Sequence, residues 1–387
     1  MMFKVSKQRL LLAGLFAQLL PSIGAVSFPA AVGSFNTSIA ITQLIDHHRV
    51  DPYAPTPQPR TLMISLFHPV PPAACCLSLT PYMDPISATF EDEEYAPVGV
   101  PAGAFGSLTL QTCKSCPASD PSRCVKGSDY PLVLFSPGLG NSRLLYSAMA
   151  QQLSSTGYIV ITIDHPYDAG IVTFPDNSTI LAANITTDTQ ILDDLDVRVK
   201  DVSFVLDQVN RLSVISRLIP GRTRGLDTSK VGIYGHSLGG ATAAEAMLSD
   251  SRLVGGINLD GTFFGSVVDR GLDKPFMIMS HEGKNLTTDV SWATLWPRLK
   301  GFKRGFTISG STHGTFTDLA EAADLIGLRE RFPTEAAAFL GSIDAERATQ
   351  VIGAYTSRFF DSVLKGKKYE LLDRSSREFP EVTVGEH

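Results

Sequence analysis

The sequence predicts an α/β fold in which a mostly parallel central sheet is covered by helices on both faces. From residue 131 onward, short apolar runs alternate with stretches of helical periodicity, the pattern of consecutive strand–helix–strand units. The apolar runs are continuous, which is typical of strands buried on both faces. With 387 residues, 43% of them hydrophobic, the chain has enough apolar mass for one large core.

The predicted parallel strands all lie in the second part of the chain. They are residues 132–135, 158–163, 231–234, 253–259, 275–279 and 306–309. Helices are predicted over 143–155, over the apolar positions Ile191, Leu195, Val199, Val202, Leu206 and Val209, and over Ile352, Tyr355, Phe359 and Val363. Residues 131–387 are therefore the predicted catalytic core.

Residues 26–130 are rich in proline and glycine and contain two candidate strands, 61–70 and 106–112. We interpret them as leading strands and cysteine-containing loops of the same domain, so that 26–387 form one domain.

The chain contains five cysteines, Cys75, Cys76, Cys113, Cys116 and Cys124. Disulfides within this region are expected, with one thiol left free or paired between chains. Zinc at Cys113 and Cys116 is the alternative, although no histidine accompanies them.

Residues 1–25 have the pattern of a signal peptide. A basic start precedes the apolar run 10–20, which is too short to span a bilayer, and small residues follow at Ser22, Gly24 and Ala25. Acceptor patterns for N-glycosylation occur at Asn36, Asn177, Asn184 and Asn285. We therefore expect a secreted, extracellular glycoprotein without a transmembrane segment.

The charge balance argues against polyanionic partners. The formal net charge is −6 and lysine and arginine do not cluster. Nucleic acid is therefore not an expected partner, and anionic lipid headgroups would not attract the chain by charge.

The most informative motif is GHSLG at residues 235–239. It lies between the apolar run 231–234 and the alanine-rich run 241–247, which is the strand, tight turn and helix of a nucleophile elbow in an α/β-hydrolase fold. Ser237 is the predicted nucleophile. Serine is a weak nucleophile at neutral pH and needs a neighbouring base to take its proton.

The base is expected among the histidines that follow Ser237, which are His281, His313 and His387. His313 lies in a loop just past the last predicted strand, from which it can reach back over the serine, so it is the predicted base. His281 ends the preceding strand and is interpreted as a structural or rim histidine. His387 is the last residue of the sequence.

Two carboxylates can serve as the acid that orients the histidine. Asp260 ends the strand 253–259, and Glu282 ends the next strand along the chain. The pattern alone does not separate them. Asp269, Asp273 and Asp289 are predicted to be solvated loop charges.

Backbone N–H donors are needed for the oxyanion that forms during acyl transfer. One is expected from Leu238, directly after the nucleophile. The other is expected from the loop 136–140, called here the oxyanion loop, whose glycines allow the backbone to approach a substrate.

Residues from about 130 to 382 resemble the secreted platelet-activating factor acetylhydrolase family, particularly its fungal members. The segments that carry the resemblance are 130–148, 231–241, 256–264 and 308–318. The resemblance implies a triad of Ser237, Asp260 and His313, with the backbone N–H groups of Leu139 and Leu238 as oxyanion donors. Pro137 stands where many members have a histidine, and the first 130 residues match less clearly.

The function that this resemblance implies is hydrolysis of the short sn-2 acyl ester of platelet-activating factor-like phospholipids, without metal or cofactor. A lipase, cutinase or carboxylesterase of broader specificity with the same triad is the alternative, and an inactive hydrolase fold used for binding is another.

For a lipid-aggregate surface the candidates are residues 212–220 and 292–299, with Trp292 and Trp296 one turn apart. Packing in the core is the alternative for both segments.

Overall fold

The computed structural model describes residues 25–114, 129–368 and 370–385. Its strands are β1 (Val26–Ser27), β2 (Asn36–Val50), β3 (Pro59–Val70), β4 (Cys76–Pro81), β5 (Leu108–Lys114), β6 (Leu132–Ser136), β7 (Ile159–Asp164), β8 (Ile171–Thr173), β9 (Thr179–Leu181), β10 (Val231–His236), β11 (Leu253–Leu259), β12 (Phe276–His281), β13 (Lys303–Ile308) and β14 (Val382–Val384).

The α-helices are α1 (Pro85–Tyr95), α2 (Ala104–Ser107), α3 (Ser147–Ser154), α4 (Asp188–Val209), α5 (Leu212–Leu218), α6 (Leu238–Ser249), α7 (Val267–Arg270), α8 (Val290–Leu295), α9 (Leu319–Leu325), α10 (Leu328–Arg331), α11 (Pro333–Leu340) and α12 (Ala345–Lys365). Short 3₁₀ helices are formed by Pro72–Ala74, Ala96–Val98, Arg143–Tyr146, Trp296–Arg298, His313–Phe316 and Glu370–Leu372.

Within the described ranges, a nine-stranded sheet runs in the order β14-β13-β12-β11-β10-β6-β7-β3-β2. The strands from β13 to β7 are parallel, whereas β14, β3 and β2 pair antiparallel with their neighbours. Each predicted strand is present. The largest difference is that β13 begins at Lys303 instead of residue 306, because Lys303 and Arg304 continue the pairing with β12.

Both faces of this sheet are covered, because successive strand residues point to opposite sides. In β6, Val133 and Phe135 belong to a core shared with α3 and α12, while Leu132 and Leu134 belong to a core shared with α4 and α6. All four side chains are buried. The predicted fold class, a mostly parallel sheet between two helical layers, is confirmed.

The leading region contributes to the same sheet, because β3 pairs with β7. This pairing supports the prediction that residues 26–387 form one domain.

A smaller sheet, β1-β5-β4, carries a disulfide between Cys75 and Cys113. Cys113 therefore offers no thiolate to zinc. Cys76 is exposed and forms no disulfide among the described residues, and Cys116 and Cys124 lie outside them.

Most apolar side chains of the two lipid-surface candidates are buried, and Leu212 is an exposed exception. Trp292 is fully buried and Trp296 nearly so, and in α5 the side chains of Val214, Ile215 and Leu218 are buried. Both segments pack in the core beside α4 and α6, which was the alternative expectation.

No helix of the described residues is long and apolar enough to cross a membrane. The predicted signal segment, apart from Ala25, lies outside the described residues.

Candidate active site

Ser237 lies in the tight turn between β10 and α6. Its backbone has φ 54° and ψ −124°, a conformation that side-chain-bearing residues rarely adopt. The turn leaves no room for larger neighbours: a Cβ on Gly239 would lie 1.9 Å from the Ser136 carbonyl oxygen. A Cβ on Gly235 would lie 2.2 Å from the Gly239 carbonyl oxygen. The GHSLG segment thus has the geometry of a nucleophile elbow.

Asp260 directly follows β11, the strand next to β10 in the sheet. Its side chain is fully buried and its φ is 61°. The Asn258 side chain closes this turn, donating from Nδ2 to the Gly261 carbonyl oxygen and accepting the Gly261 N–H, both at 2.7 Å. A Cβ on Gly261 would lie 2.0 Å from the Ser237 carbonyl oxygen, so the acid turn packs directly against the elbow.

The structure brings Asp260 and His313 together and keeps Glu282 apart from them. His313 Nδ1 lies 2.5 Å from Asp260 Oδ2, and about half of the imidazole surface is exposed. Glu282 is exposed and accepts the backbone N–H of Gly310 at 2.7 Å. Of the two acids that the sequence leaves open, the geometry favours Asp260.

A second imidazole contacts the same carboxylate. His281 Nδ1 lies 2.8 Å from Oδ1 and 2.7 Å from Oδ2 of Asp260, and the His281 N–H donates to Oδ1 at 3.0 Å. From the sequence, His281 was interpreted only as a structural or rim residue. The available signal was its place at the end of β12, because the carboxyl ends of neighbouring parallel strands meet at one edge of the sheet.

The surroundings of Asp260 favour its ionised form. Burial, the largest single influence, would raise the pKa of this carboxyl, but the hydrogen bonds from His281 and His313 and the nearby positive charges together outweigh it. The ammonium group of Lys284, which donates to the Asp260 carbonyl oxygen at 2.7 Å, acts in the same direction. The pKa of Asp260 therefore lies well below its usual range.

The oxyanion loop approaches Ser237 closely, since a Cβ on Gly138 would lie 3.2 Å from Ser237 Cβ. The Gly138 N–H is already used, because it donates to the Tyr146 hydroxyl at 3.2 Å. In the described part of the chain, the N–H groups of Leu139 and Leu238 donate to no protein acceptor. They are thus available as the predicted oxyanion donors.

The peptide between Pro137 and Gly138 is held at both ends. Its N–H bonds Tyr146, and its carbonyl oxygen accepts from the Arg198 guanidinium at 2.7 Å. Arg198 is fully buried and also donates twice to Asp168, at 2.5 and 2.7 Å. Neither Tyr146 nor Arg198 was predicted from the sequence to be a functional residue.

Tyr146 and His236 connect the oxyanion loop to His313. The Tyr146 hydroxyl lies 2.9 Å from His236 Nδ1, and His236 Nε2 lies 3.1 Å from the His313 carbonyl oxygen. Because a carbonyl oxygen only accepts, Nε2 carries the proton and Nδ1 accepts from Tyr146. Burial, and then the nearby His313, lower the pKa of His236 well below its usual range, so His236 is neutral.

A second Ser–His–Asp arrangement lies beneath the oxyanion loop. His165 is 2.9 Å from the Ser136 hydroxyl through Nε2 and 2.9 Å from Asp201 through Nδ1. All three side chains are buried, and the Ser136 hydroxyl also lies 3.3 Å from Arg198. No substrate can reach this serine, so the arrangement is structural.

Asp289 departs from the sequence expectation of a solvated loop charge. Only 7% of it is exposed, because it caps the start of α8 and accepts the Thr262 hydroxyl at 2.6 Å. Lys284 lies 3.4 Å away. The prediction for Asp289 was wrong because capping turned the carboxylate inward.

The chain is similar to known esterases over most of its length. Residues 102–200 and 222–371 match the family described as "Platelet-activating factor acetylhydrolase, isoform II". A protein of Arthroderma benhamiae named "Probable 1-alkyl-2-acetylglycerophosphocholine esterase" is 32% identical, with 96% of each chain covered. The platelet-activating factor acetylhydrolase of Cavia porcellus is 27% identical over 64% of this chain and 61% of its own.

A ferulic acid esterase from Streptomyces cinnamoneus has a similar structure, with a TM-score of 0.75 and 30% sequence identity. The match covers 93% of this chain and 99% of that esterase. The resemblance noted in the sequence is thereby confirmed. The chain belongs to the platelet-activating factor acetylhydrolase family, isoform II type, with the α/β-hydrolase fold.

Proposed function

We propose that this esterase hydrolyses the short sn-2 acyl ester, acetyl above all, of platelet-activating factor-like phospholipids, with Ser237 as nucleophile. The names of the relatives support the substrate class. The observation that carries the catalytic assignment is the contact of His313 with the buried Asp260 at 2.5 Å, on a turn that packs against the Ser237 backbone.

In this mechanism, the Ser237 hydroxyl oxygen attacks the ester carbonyl while Nε2 of His313 takes its proton. Asp260 fixes the imidazole with Nδ1–H toward the carboxylate and stabilises the cation that forms. The N–H groups of Leu139 and Leu238 bind the oxyanion. The lyso-lipid leaves with the proton from His313. Water, deprotonated by His313, then releases acetate from Ser237, and no step needs a metal or cofactor.

An esterase of broader specificity is the second candidate. It is favoured by the similarity to the ferulic acid esterase over nearly the whole of both chains. The same nucleophile, base and oxyanion donors serve both reactions, so the two candidates differ in the acyl group that is accepted and share their chemistry. A chain that folds without hydrolysing any ester is the third outcome to test.

Export is part of the proposal. It is supported by the disulfide between Cys75 and Cys113, since disulfides persist in oxidising compartments. Asn177, Asn184 and Asn285 are exposed, as glycosylated asparagines must be, whereas Asn36 is half-buried.

The test combines active-site labelling with a substrate series. We expect a fluorophosphonate probe to label the wild type and not Ser237→Ala. We expect hydrolysis of sn-2 acetyl phosphocholine to exceed that of the butyryl, hexanoyl and palmitoyl compounds, by roughly 100-fold over palmitoyl. Efficient palmitoyl turnover would indicate a general lipase, and preference for methyl ferulate would indicate the second candidate. A folded chain that never labels is not a serine hydrolase.

A further inference from the structure

Asp260, His281 and His313 bring one carboxylate and two imidazoles to a single point. Their ligand atoms all lie within 4.8 Å of one another. His281 and His313 ring nitrogens both face the same carboxylate oxygen, at 2.7 and 2.5 Å. The proposed reaction uses Asp260 and His313, whereas His281 transfers no proton in it.

The donor set suits a borderline divalent cation such as Zn²⁺, which binds imidazole nitrogen and carboxylate oxygen at about 2.0–2.2 Å. In a tetrahedral site such ligand atoms lie about 3.3–3.5 Å apart. Shifts on the order of an ångström, which side-chain rotations supply, would open the present hydrogen bonds to that spacing.

The approach to this point is open on one side. About 31% of the His281 side chain and 51% of the His313 side chain are exposed, while Asp260 is buried beneath them. The ammonium group of Lys284, which would repel a cation, donates to the Asp260 carbonyl oxygen at 2.7 Å and lies 3.4 Å from the Asp289 carboxylate. A cation arriving from solvent would therefore meet two imidazoles first and the carboxylate behind them.

We propose that Asp260, His281 and His313 form an inhibitory site for Zn²⁺, occupied through Nδ1 of both histidines and a carboxylate oxygen. The proposal rests on the proposed function, in which His313 is the base. When Zn²⁺ takes Nδ1, the proton of the neutral imidazole moves to Nε2. An Nε2 that carries a proton cannot accept the proton of Ser237, so occupancy stops the reaction without unfolding the protein.

The kinetic test uses the full-length protein, treated with EDTA and then freed of it, with p-nitrophenyl acetate as substrate. We expect ZnCl₂ to inhibit the wild type, EDTA to restore the rate, and MgCl₂ to have no effect because Mg²⁺ prefers oxygen ligands. Zinc should also block fluorophosphonate labelling of Ser237.

The variant His281→Gln tests whether zinc inhibits through this site. The rate of each variant with zinc is compared with the rate of the same variant without zinc. Loss of an outer partner of a metal ligand already weakens binding 10–100-fold, so loss of a ligand should raise the half-inhibiting zinc concentration by at least about tenfold. His47→Gln and His48→Gln remove exposed histidines of β2 and should leave it unchanged. Equal zinc sensitivity of His281→Gln and wild type would overturn the proposal.

Calorimetry on Ser237→Ala separates this proposal from the catalytic one. We expect Ser237→Ala to bind zinc at a site that the additional change His281→Gln removes. If Ser237→Ala keeps esterase activity, the catalytic proposal fails, whatever the zinc result. If neither inhibition nor His281-dependent binding occurs up to about 1 mM ZnCl₂, the metal site does not exist.

Discussion

The hydroxyl of Tyr146 lies 2.9 Å from Nδ1 of His236 while it accepts the N–H of Gly138. One buried phenol thereby joins the oxyanion loop to the residue before Ser237. His236 continues the connection to the His313 backbone. Donors that are already in place before the reaction stabilise a developing charge most effectively, so this connection should matter for turnover.

Replacing Tyr146 by phenylalanine should therefore lower kcat with little change in KM. Gly138 would lose its acceptor and His236 its donor, and we expect a loss of about tenfold, which corresponds to one strong hydrogen bond. The affinity for a trifluoromethyl ketone that mimics the intermediate should fall in parallel. Tyr158→Phe is the control, because Tyr158 is equally buried and donates to Asp361 at 2.7 Å. It should lose stability but keep kcat.

Asp260→Asn should lower kcat by about 10⁴-fold, because an amide no longer fixes the imidazole tautomer or stabilises its cation. Glu282→Gln should keep nearly full activity, since the exposed Glu282 only accepts the Gly310 N–H. The low pKa of Asp260 means that the wild-type carboxyl stays ionised from pH 5 to 9. Protonation of the wild-type carboxyl therefore cannot account for a difference in rate between wild type and Asp260→Asn anywhere in that range. A larger loss of kcat in Glu282→Gln than in Asp260→Asn would make Glu282 the acid.

Arg198→Lys should impair both stability and turnover, although it keeps the charge. A lysine cannot reproduce the paired bonds to Asp168 together with the bond to Pro137. Breaking a buried pair costs about 3–5 kcal/mol, and part of that loss is expected here in urea unfolding. Arg252→Lys, at a partly exposed pair with Asp207 and Asp250, should change stability by less than about 1 kcal/mol. Similar effects of both variants would argue against a special role for Arg198.

The sequence was most informative where backbone geometry leaves few choices. The elbow and the run of parallel strands were predictable because glycine spacing and continuous apolar runs report local conformation and burial. The preference for Asp260 over Glu282 as the proposed acid needed the family resemblance, since both residues follow strands. Arg198 and Tyr146 were placed on predicted helices, but their roles depend on contacts with distant loops that periodicity does not encode.

His281 and Asp289 also have contacts that the sequence pattern did not predict. His281 was interpreted as a structural or rim histidine, and its contact with Asp260 depends on the pairing of β11 with β12, which the sequence pattern does not encode. Asp289 was assigned to solvent, yet its position before α8 makes it a helix cap. A polar residue in a loop can turn inward when a neighbouring backbone offers N–H groups, and single-sequence patterns do not reveal this.

Removing the disulfide should reduce stability and leave turnover almost intact. Cys75 and Cys113 are 38 residues apart in sequence, so the double change Cys75→Ser and Cys113→Ser should cost about 2–4 kcal/mol. The bond lies in the small sheet, whereas the candidate triad lies on the large one. Cys76→Ser is the matched control and should leave the unfolding midpoint unchanged. A large loss of kcat in the double variant would show that the small sheet supports the site.

Stability should fall as pH rises, partly because of Glu91. Burial, followed by the charges of Glu94 and Asp164, raises the pKa of Glu91 to about 8. The pKa of Glu91 in the folded protein exceeds its unfolded value of about 4.3. The stability that the neutral Glu91 carboxyl contributes is therefore fully present below pH 4.3 and is lost as the pH rises to about 8. Glu91→Gln should flatten this decline in urea unfolding between pH 5 and 9. The exposed Glu94→Gln should alter it much less, and an unchanged slope in Glu91→Gln would contradict the prediction.

The backbone of Ser237, with its φ of 54°, has a consequence for engineering. A side-chain-bearing residue in such a conformation carries about 1–3 kcal/mol of strain, which glycine would relieve. A screen that rewards heat tolerance alone would therefore favour Ser237→Gly and select inactive protein. Thermostable versions of this enzyme should be sought by screening for residual turnover after heating, because the change that relieves backbone strain at this position also removes the proposed nucleophile.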